Sequence, residues 1–279
     1  MSRSKENEDK IRGALYGFAI GDAMGATTEF MSQESIQKKY GVLDDIVGGG
    51  WLHLEAGKVT DDTQMMICVM EALQDSIEVG SGVDYFHHLV GANFVEWLSR
   101  GPKDVGGQCS KYILYYMEHG KPKRYASPSE LGNGGLMRAL PCALINDLEL
   151  NLIQNNFTHC NNECTTAIRR YHCSIITCFR HSWPYASILT RSSGKMEPTG
   201  CVINTYQNAI THATTGVDFS SAIISAVNDG GDADTIGALT GGLAGAMYGY
   251  KDIPQRWVQK LDPEIKKYLE KFVDFCCQR

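Results

Sequence analysis

Residues 232–250 read DADTIGALTGGLAGAMYGY, and the fold turns on how this stretch is taken. Gly237, Gly241, Gly242, Gly245 and Gly249 crowd it, which alone would describe a loose loop. Ile236, Leu239, Leu243 and Met247, however, recur at helical spacing. Each interior glycine costs a helix up to about 1 kcal/mol relative to alanine, a cost that makes sense where neighbouring helices approach closely. The stretch predicts a buried central helix carrying Asp232-Ala233-Asp234-Thr235 at its N-terminus.

Working outward, helical periodicity dominates. Ile11, Leu15, Phe18 and Ala19 fall on one helical face, as do Met66, Val69, Met70 and Leu73. Further helical stretches are predicted near 84–99, 106–118, 135–146, 161–180, 200–213, 218–227 and 263–277. Asp218 reads as an N-cap, and Pro263 suits a first helical turn. The best strand candidate, Ile46 to Leu54, is interrupted by Gly48-Gly49-Gly50. The expectation is an all-α, compact single-domain helical bundle over 1–279, its helices joined by glycine-rich loops.

Composition narrows the function classes. The 279 residues are 43% hydrophobic, enough for a large core, and no low-complexity stretch or repeat stands out. A net charge of -6 without a basic run argues against nucleic acid as a partner. No apolar run approaches the ~20 residues that span a bilayer, and the opening MSRSKENEDKIRG lacks the apolar stretch of a signal peptide. A cytoplasmic, monomeric protein with no membrane partner is expected. The ten cysteines include no CxxC pair and are expected to be reduced. The spacing of Cys160, Cys164, His172 and Cys173 fits no common zinc pattern.

Chemistry concentrates in five segments. Thr60-Asp61-Asp62 and Asp232-Ala233-Asp234-Thr235 each set carboxylates beside a threonine hydroxyl at a predicted helix start. Either could be a plain N-cap, since Asp and Thr are favoured there. Two doubled-aspartate clusters together favour hard cations such as Mg²⁺ or Mn²⁺, which prefer oxygen ligands. Gly132-Asn133-Gly134-Gly135 precedes a helical stretch and is either an ordinary glycine loop or a backbone cradle for phosphate. Gly101-Pro102-Lys103-Asp104-Val105-Gly106-Gly107 forms a turn-rich loop. Gly21-Asp22-Ala23-Met24-Gly25 closes the first helix and runs on to Glu29.

In type, order and spacing these segments resemble the ADP-ribosylglycohydrolase family. The resemblance is carried by GALYGFAIGDAMGATTEF (13–30), GGGWLHLEAGKVTDDTQM (48–65), GPKDVG (101–106), GNGGLMRALP (132–141) and NDGGDADTIGALTGG (228–242), and spans almost the whole chain. It implies an all-α fold around a central binuclear site for two Mg²⁺ or Mn²⁺ ions. Thr60, Asp61, Asp62 and Asp234 resemble the ligands of one metal; Asp232, Asp234 and Thr235 resemble those of the second, with Asp234 bridging. Glu29 matches the acidic residue at the catalytic edge and is favoured as the base over Asp62. Asn133, Gly134 and Gly135 match the loop around the ADP-ribose diphosphate and ribose, and Asp104 and Gly106 match the loop at the scissile end. His159 fits a substrate-facing histidine, although Thr158-His159-Cys160-Asn161-Asn162 replaces the Thr-His-Pro-His-Pro of many relatives. Residues 182–200 match no motif.

The implied reaction is metal-dependent hydrolysis at the anomeric carbon of the distal ribose, with an ADP-ribosylated protein as substrate and ADP-ribose as product. An acidic residue at Asp104 could meet a guanidinium, which favours ADP-ribosyl-arginine. The alternatives are O-linked ADP-ribose (on serine, or as O-acetyl-ADP-ribose) and a catalytically silent binding or immunity protein on the same fold. A metal-dependent phosphohydrolase would need a phosphate-facing cation; Lys58 and Arg138 are the nearest in sequence.

Overall fold

The computed structural model describes residues 3–80, 82–123, 127–181 and 194–279. Among these, thirteen α-helices account for the regular structure, with two 3₁₀ turns at Leu136–Arg138 and Tyr250–Asp252. In chain order they are α1 (Arg3–Gly25), α2 (Gln33–Tyr40), α3 (Asp61–Glu78), α4 (Val83–Ser99), α5 (Gly107–His119), α6 (Leu140–Leu144) and α7 (Leu148–Asn156). There follow α8 (Asn162–Arg180), α9 (Val202–Thr215), α10 (Phe219–Val227), α11 (Ala233–Tyr248), α12 (Gln255–Lys260) and α13 (Pro263–Cys277). Extended pairing among the described residues is limited to isolated bridges at Gly49–Leu54 and Gly132–Cys201. The Ile46–Leu54 candidate thus yields one bridge and no strand, because Gly48, Gly49 and Gly50 all take positive φ. No helix among the described residues is long and apolar enough to cross a membrane.

The chain forms two compact units, one of residues 1–60, 174–200 and 204–279, the other of residues 61–173 and 201–203. In the first, α11 is buried from Ala233 to Met247, as its small-residue pattern predicts. Its partner is α1, whose Gly13, Gly17, Gly21 and Gly25 recur every fourth residue on one face. The two stripes run antiparallel: Gly13 faces Gly245, Gly17 faces Gly241, Gly21 faces Gly237 and Gly25 faces Ala233. A Cβ added at Gly237 would sit 2.6 Å from the carbonyl oxygen of Gly21, and one at Gly241 would collide with that of Gly17. The backbones therefore meet with no side chain between them. Leu15, Phe18 and Ala19 of α1 are fully buried, as are Leu269, Phe272 and Val273 of α13. Asp218 caps α10 through a reciprocal box with Ser221, and Pro263 opens α13.

In the second unit Met66, Val69, Met70 and Leu73 of α3 are buried, as are Phe86, Val90 and Phe94 of α4. The helix expected over 135–146 divides into the Leu136–Arg138 turn and α6. Pro141 lacks an N–H and sits in the first turn of α6, so one continuous helix is interrupted there. Two short helices without a strong apolar stripe, α2 and α7, start at Ser32 and Asp147, whose side chains accept from the N–H groups of Ser35 and Leu150. All ten cysteines are free thiols. Of the unmatched 182–200 segment, 182–193 lies outside the described residues.

Candidate metal centre and substrate loops

In the first unit the glycine seam sets the site. Because α1 and α11 touch backbone to backbone, the end of α1 is brought against the start of α11: a Cβ on Gly25 would meet Asp234 Cα at 2.5 Å. The chain beyond α1 is then stitched down. Thr28 Oγ1 donates to Val227 O at 2.6 Å, Phe30 N donates to Gly231 O at 2.7 Å, and Gly231 N donates back to Met31 O at 3.0 Å. Glu29 and Asp234 are both buried, with carboxylate oxygens within 4.8 Å of each other. Thr60, Thr235 and the half-buried Asp232, the N-cap of α11, complete the predicted oxygen donors of this unit.

In the second unit Asp61 and Asp62 open α3, both buried at the positive end of the helix dipole. Asp61 also pins the predicted loop after α4, since Gly106 N donates to its Oδ2 at 3.1 Å. Asp104 of that loop is half-buried, and burial pushes its carboxyl above the usual range against a weaker opposing hydrogen bond from Val105 N. A Cys or His cluster at metal-ligand separations is absent among the described residues.

The Asn133–Gly135 loop is framed by side chains. Asn133 O accepts from Leu136 N and Met137 N, which winds the chain into the 3₁₀ turn, and Gln154 Nε2 donates to Gly135 O at 3.1 Å. Beneath it lies Arg138, fully buried. Its guanidinium donates to Gln154 Oε1 (2.8 Å), Gln154 O (2.9 Å) and Thr158 Oγ1 (2.6 Å), and lies over the Phe94 ring at 4.5 Å. The Thr158 hydroxyl, accepting from Arg138, is left to donate to His159 Nδ1 at 2.6 Å. Burial first, and the Arg138 charge second, hold the His159 imidazole well below its ordinary pKa, so it is neutral at pH 7. Its Nε2 lies 3.0 Å from where a Cβ on Gly132 would stand. His159 is therefore packed against the loop and fixes its shape.

Sequence reasoning gave Asp22 and Trp51 no role. Asp22 is fully buried in the last turn of α1, where the helix dipole disfavours a carboxylate. Its Oδ1 accepts from Thr60 N at 3.0 Å and so fixes a predicted ligand. Trp51 Nε1 donates to Glu29 Oε2 at 2.6 Å. The available signals were an acid at a helix C-terminus and a lone indole in a glycine loop. Lys58 and Arg138, the cations nearest the acidic clusters in sequence, are both engaged. Lys58 Nζ lies 2.5 Å from Asp262 Oδ2, and the Arg138 fork is used up internally.

The donor chemistry fits a divalent metal. Two buried carboxylates within 4.8 Å repel one another unless a cation or a proton neutralises them. Carboxylate and threonine oxygens are hard ligands, suited to Mg²⁺ or Mn²⁺ rather than to softer ions.

The profile of the ADP-ribosylglycohydrolase family matches residues 3–178 and 180–278. The chain is 36% identical over 293 residues to the ADP-ribosyl-[dinitrogen reductase] glycohydrolase of Rhodospirillum rubrum, covering 95% of each chain. It is 29% identical to the ADP-ribosylarginine hydrolase Tri1 of Serratia proteamaculans, over 92% of this chain and 76% of that one. A solved structure titled ADP-ribosylglycohydrolase-related protein complex superposes with a TM-score of 0.82 at 26% identity, covering 98% of this chain and 99% of that one.

Proposed function

Because the chain belongs to the ADP-ribosylglycohydrolase family and is a hydrolase of it, we propose that it cleaves the N-glycosidic bond joining ADP-ribose to an arginine side chain of a modified protein. The observation that carries this reading is the meeting of Glu29 and Asp234 where α1 ends and α11 begins. The names of two similar proteins, which specify a dinitrogen reductase and ADP-ribosylarginine as substrates, support the linkage. The extent of the family match supports taking 1–279 as one catalytic domain.

Thr60, Asp61, Asp62, Asp232, Asp234 and Thr235 would hold two Mg²⁺ or Mn²⁺ ions. Such ions supply Lewis-acid polarisation of ribose hydroxyls and a lowered pKa for water. The chain's own residues do the rest. Trp51 holds one oxygen of Glu29 and so sets the plane of the carboxylate that takes a proton from the attacking water. Asp22 keeps Thr60 in register. The loop containing Asn133, Gly134 and Gly135 receives the diphosphate through backbone N–H groups, which reconciles an anionic substrate with a protein of net charge -6. Asp104, carboxylate to guanidinium, orients the arginine that leaves.

The test is release of free ADP-ribose from an arginine-ADP-ribosylated protein with Mg²⁺, with EDTA, and with Asp234→Ala. Release should need the metal. It should fall in the variant by at least the ~10–100-fold that follows loss of a supporting partner at a metal site. Release unaffected by EDTA would overturn the metal assignment. Release only from serine-linked or O-acetyl substrates would move the linkage from nitrogen to oxygen.

A further inference from the structure

Phe30 carries two costs at once. It lies 68% exposed, and its φ of 60° places a bulky side chain in the left-handed region, a true outlier for such a residue. Neither cost helps folding. The conformation is nevertheless fixed from both sides, by Phe30 N on Gly231 O and by Gly231 N on Met31 O. Strained residues that are over-determined in this way concentrate where a ligand is handled.

The ring is not alone. Trp51, 47% exposed, faces it with ring centroids 5.4 Å apart and planes tilted by 45°. Its loop is anchored independently. Thr27 Oγ1 donates to Gly48 O at 3.1 Å, and Gly50 packs so tightly on Ala26 O that a Cβ there would collide with it. Two touching aromatic rings are thus exposed beside Glu29: Phe30 is its neighbour in sequence, and Trp51 donates its N–H to Glu29 Oε2. A π-face beside a carboxylate attracts a planar cation and offers little to a neutral hydroxyl.

We propose that Phe30 and Trp51 form the acceptor platform of the enzyme, stacking the guanidinium of the arginine-linked substrate beside Glu29. This rests on the arginine reading above and adds the residues that would select that acceptor. Phe30 is a specificity residue touching the leaving side chain. Trp51 does the same with its ring and positions Glu29 with its N–H.

Two substitutions separate these roles. Phe30→Gly removes the ring and supplies the residue best suited to φ of 60°. The variant should fold with a Tm at or above wild type. Its KM for ADP-ribosyl-arginine should rise about three- to tenfold, the scale of a cation–π contact at a half-exposed site, with kcat nearly unchanged. Trp51→Phe keeps a ring but loses the N–H, so kcat should fall more than KM rises. Calorimetric affinity for free ADP-ribose should match wild type in both, since the platform touches only the acceptor. An unchanged KM in Phe30→Gly, an equal change for serine-linked substrate, or a weakened ADP-ribose affinity would each overturn the platform. Wild-type enzyme that releases nothing from arginine-linked substrate would instead overturn the parent reading, and the platform with it. The ratio of variant to wild type therefore reports on the platform, and the wild-type rate reports on the linkage.

Discussion

The seam between α1 and α11 and the loop at Asn133–Gly135 are both built from glycine, and they use it differently. Along the seam, the atoms that a Cβ would strike are backbone: carbonyl oxygens of Gly13, Gly17 and Gly21 on one side, of Gly237, Gly241 and Gly245 on the other. Around the loop they are side chains: Gln108 and His159 for Gly132, Cys109 and His159 for Gly134, Asn155 for Gly135. A helix backbone cannot yield without moving the whole helix, whereas a side chain can turn. The seam sets a fixed distance, and with it the position of Asp234 against Glu29. The loop sets a shape that polar side chains support and that a ligand can adjust.

The difference is open to direct attack. Gly241→Ala gives the largest expected effect. In an open helix it would gain up to about 1 kcal/mol. Here the new methyl meets the carbonyl of Gly17, so the loss should exceed the ~1–3 kcal/mol of ordinary overpacking and approach the 4–5 that marks exceptional substitutions. Urea denaturation would measure it, and a variant as stable as wild type would mean that the helices do not touch as described. Gly134→Ala should cost less. The new Cβ would lie 2.5 Å from Cys109 Sγ and 2.8 Å from His159 Cε1, both side-chain atoms, so about 1–3 kcal/mol is expected. ADP-ribose affinity should fall in this variant while the fold persists, an outcome visible by calorimetry beside a melting curve. If both substitutions cost the same, the distinction between a backbone seam and a side-chain frame fails.

Much of this arrangement could be read from residues alone, with clear physical limits. The apolar spacing of Ile236, Leu239, Leu243 and Met247 predicted α11, because burial imposes that period on any core helix. The matching stripe Gly13, Gly17, Gly21 and Gly25 is equally plain in sequence, yet it acquires meaning only once antiparallel pairing with α11 is known. One helix over 135–146 failed on Pro141, a local rule that the apolar pattern had overridden. The acidic residues stand out in the sequence by their chemistry, and of these Glu29 and Asp234 lie together. Which atoms hold which could not be read: Asp22 on Thr60 and Trp51 on Glu29 are tertiary contacts without a periodic signature. His159 was legible as part of a motif, whereas its packing against Gly132 and Gly134 depends on α7 and the residues after it folding beneath the loop.

Not everything along the seam is held by backbone, and the smallest prediction concerns that exception. Asp229 stands just before Gly230-Gly231, the turn that feeds α11, and it is tethered by side chains: Lys195 Nζ at 2.8 Å and the buried His212 Nε2 at 3.0 Å. His212 Nδ1 is in turn 2.9 Å from Ser225 Oγ on α10. Burial pushes the Asp229 carboxyl up, but hydrogen bonds from His212 and Lys195 outweigh it and hold the group below its ordinary value of 3.8. A carboxyl depressed in the folded state adds stability that is complete above the unfolded pKa and fades as pH falls through the folded one. The stability gap between wild type and Asp229→Asn should therefore be flat from pH 7 to pH 5 and shrink below about pH 4. Asp229 is only half-buried and solvent screens it, so the gap should be modest. Denaturation midpoints of both proteins across that range would measure it. A gap that instead widened on acidification would mean that Asp229 is held by something other than Lys195 and His212, and that the turn into α11 is as much a backbone construction as the seam itself.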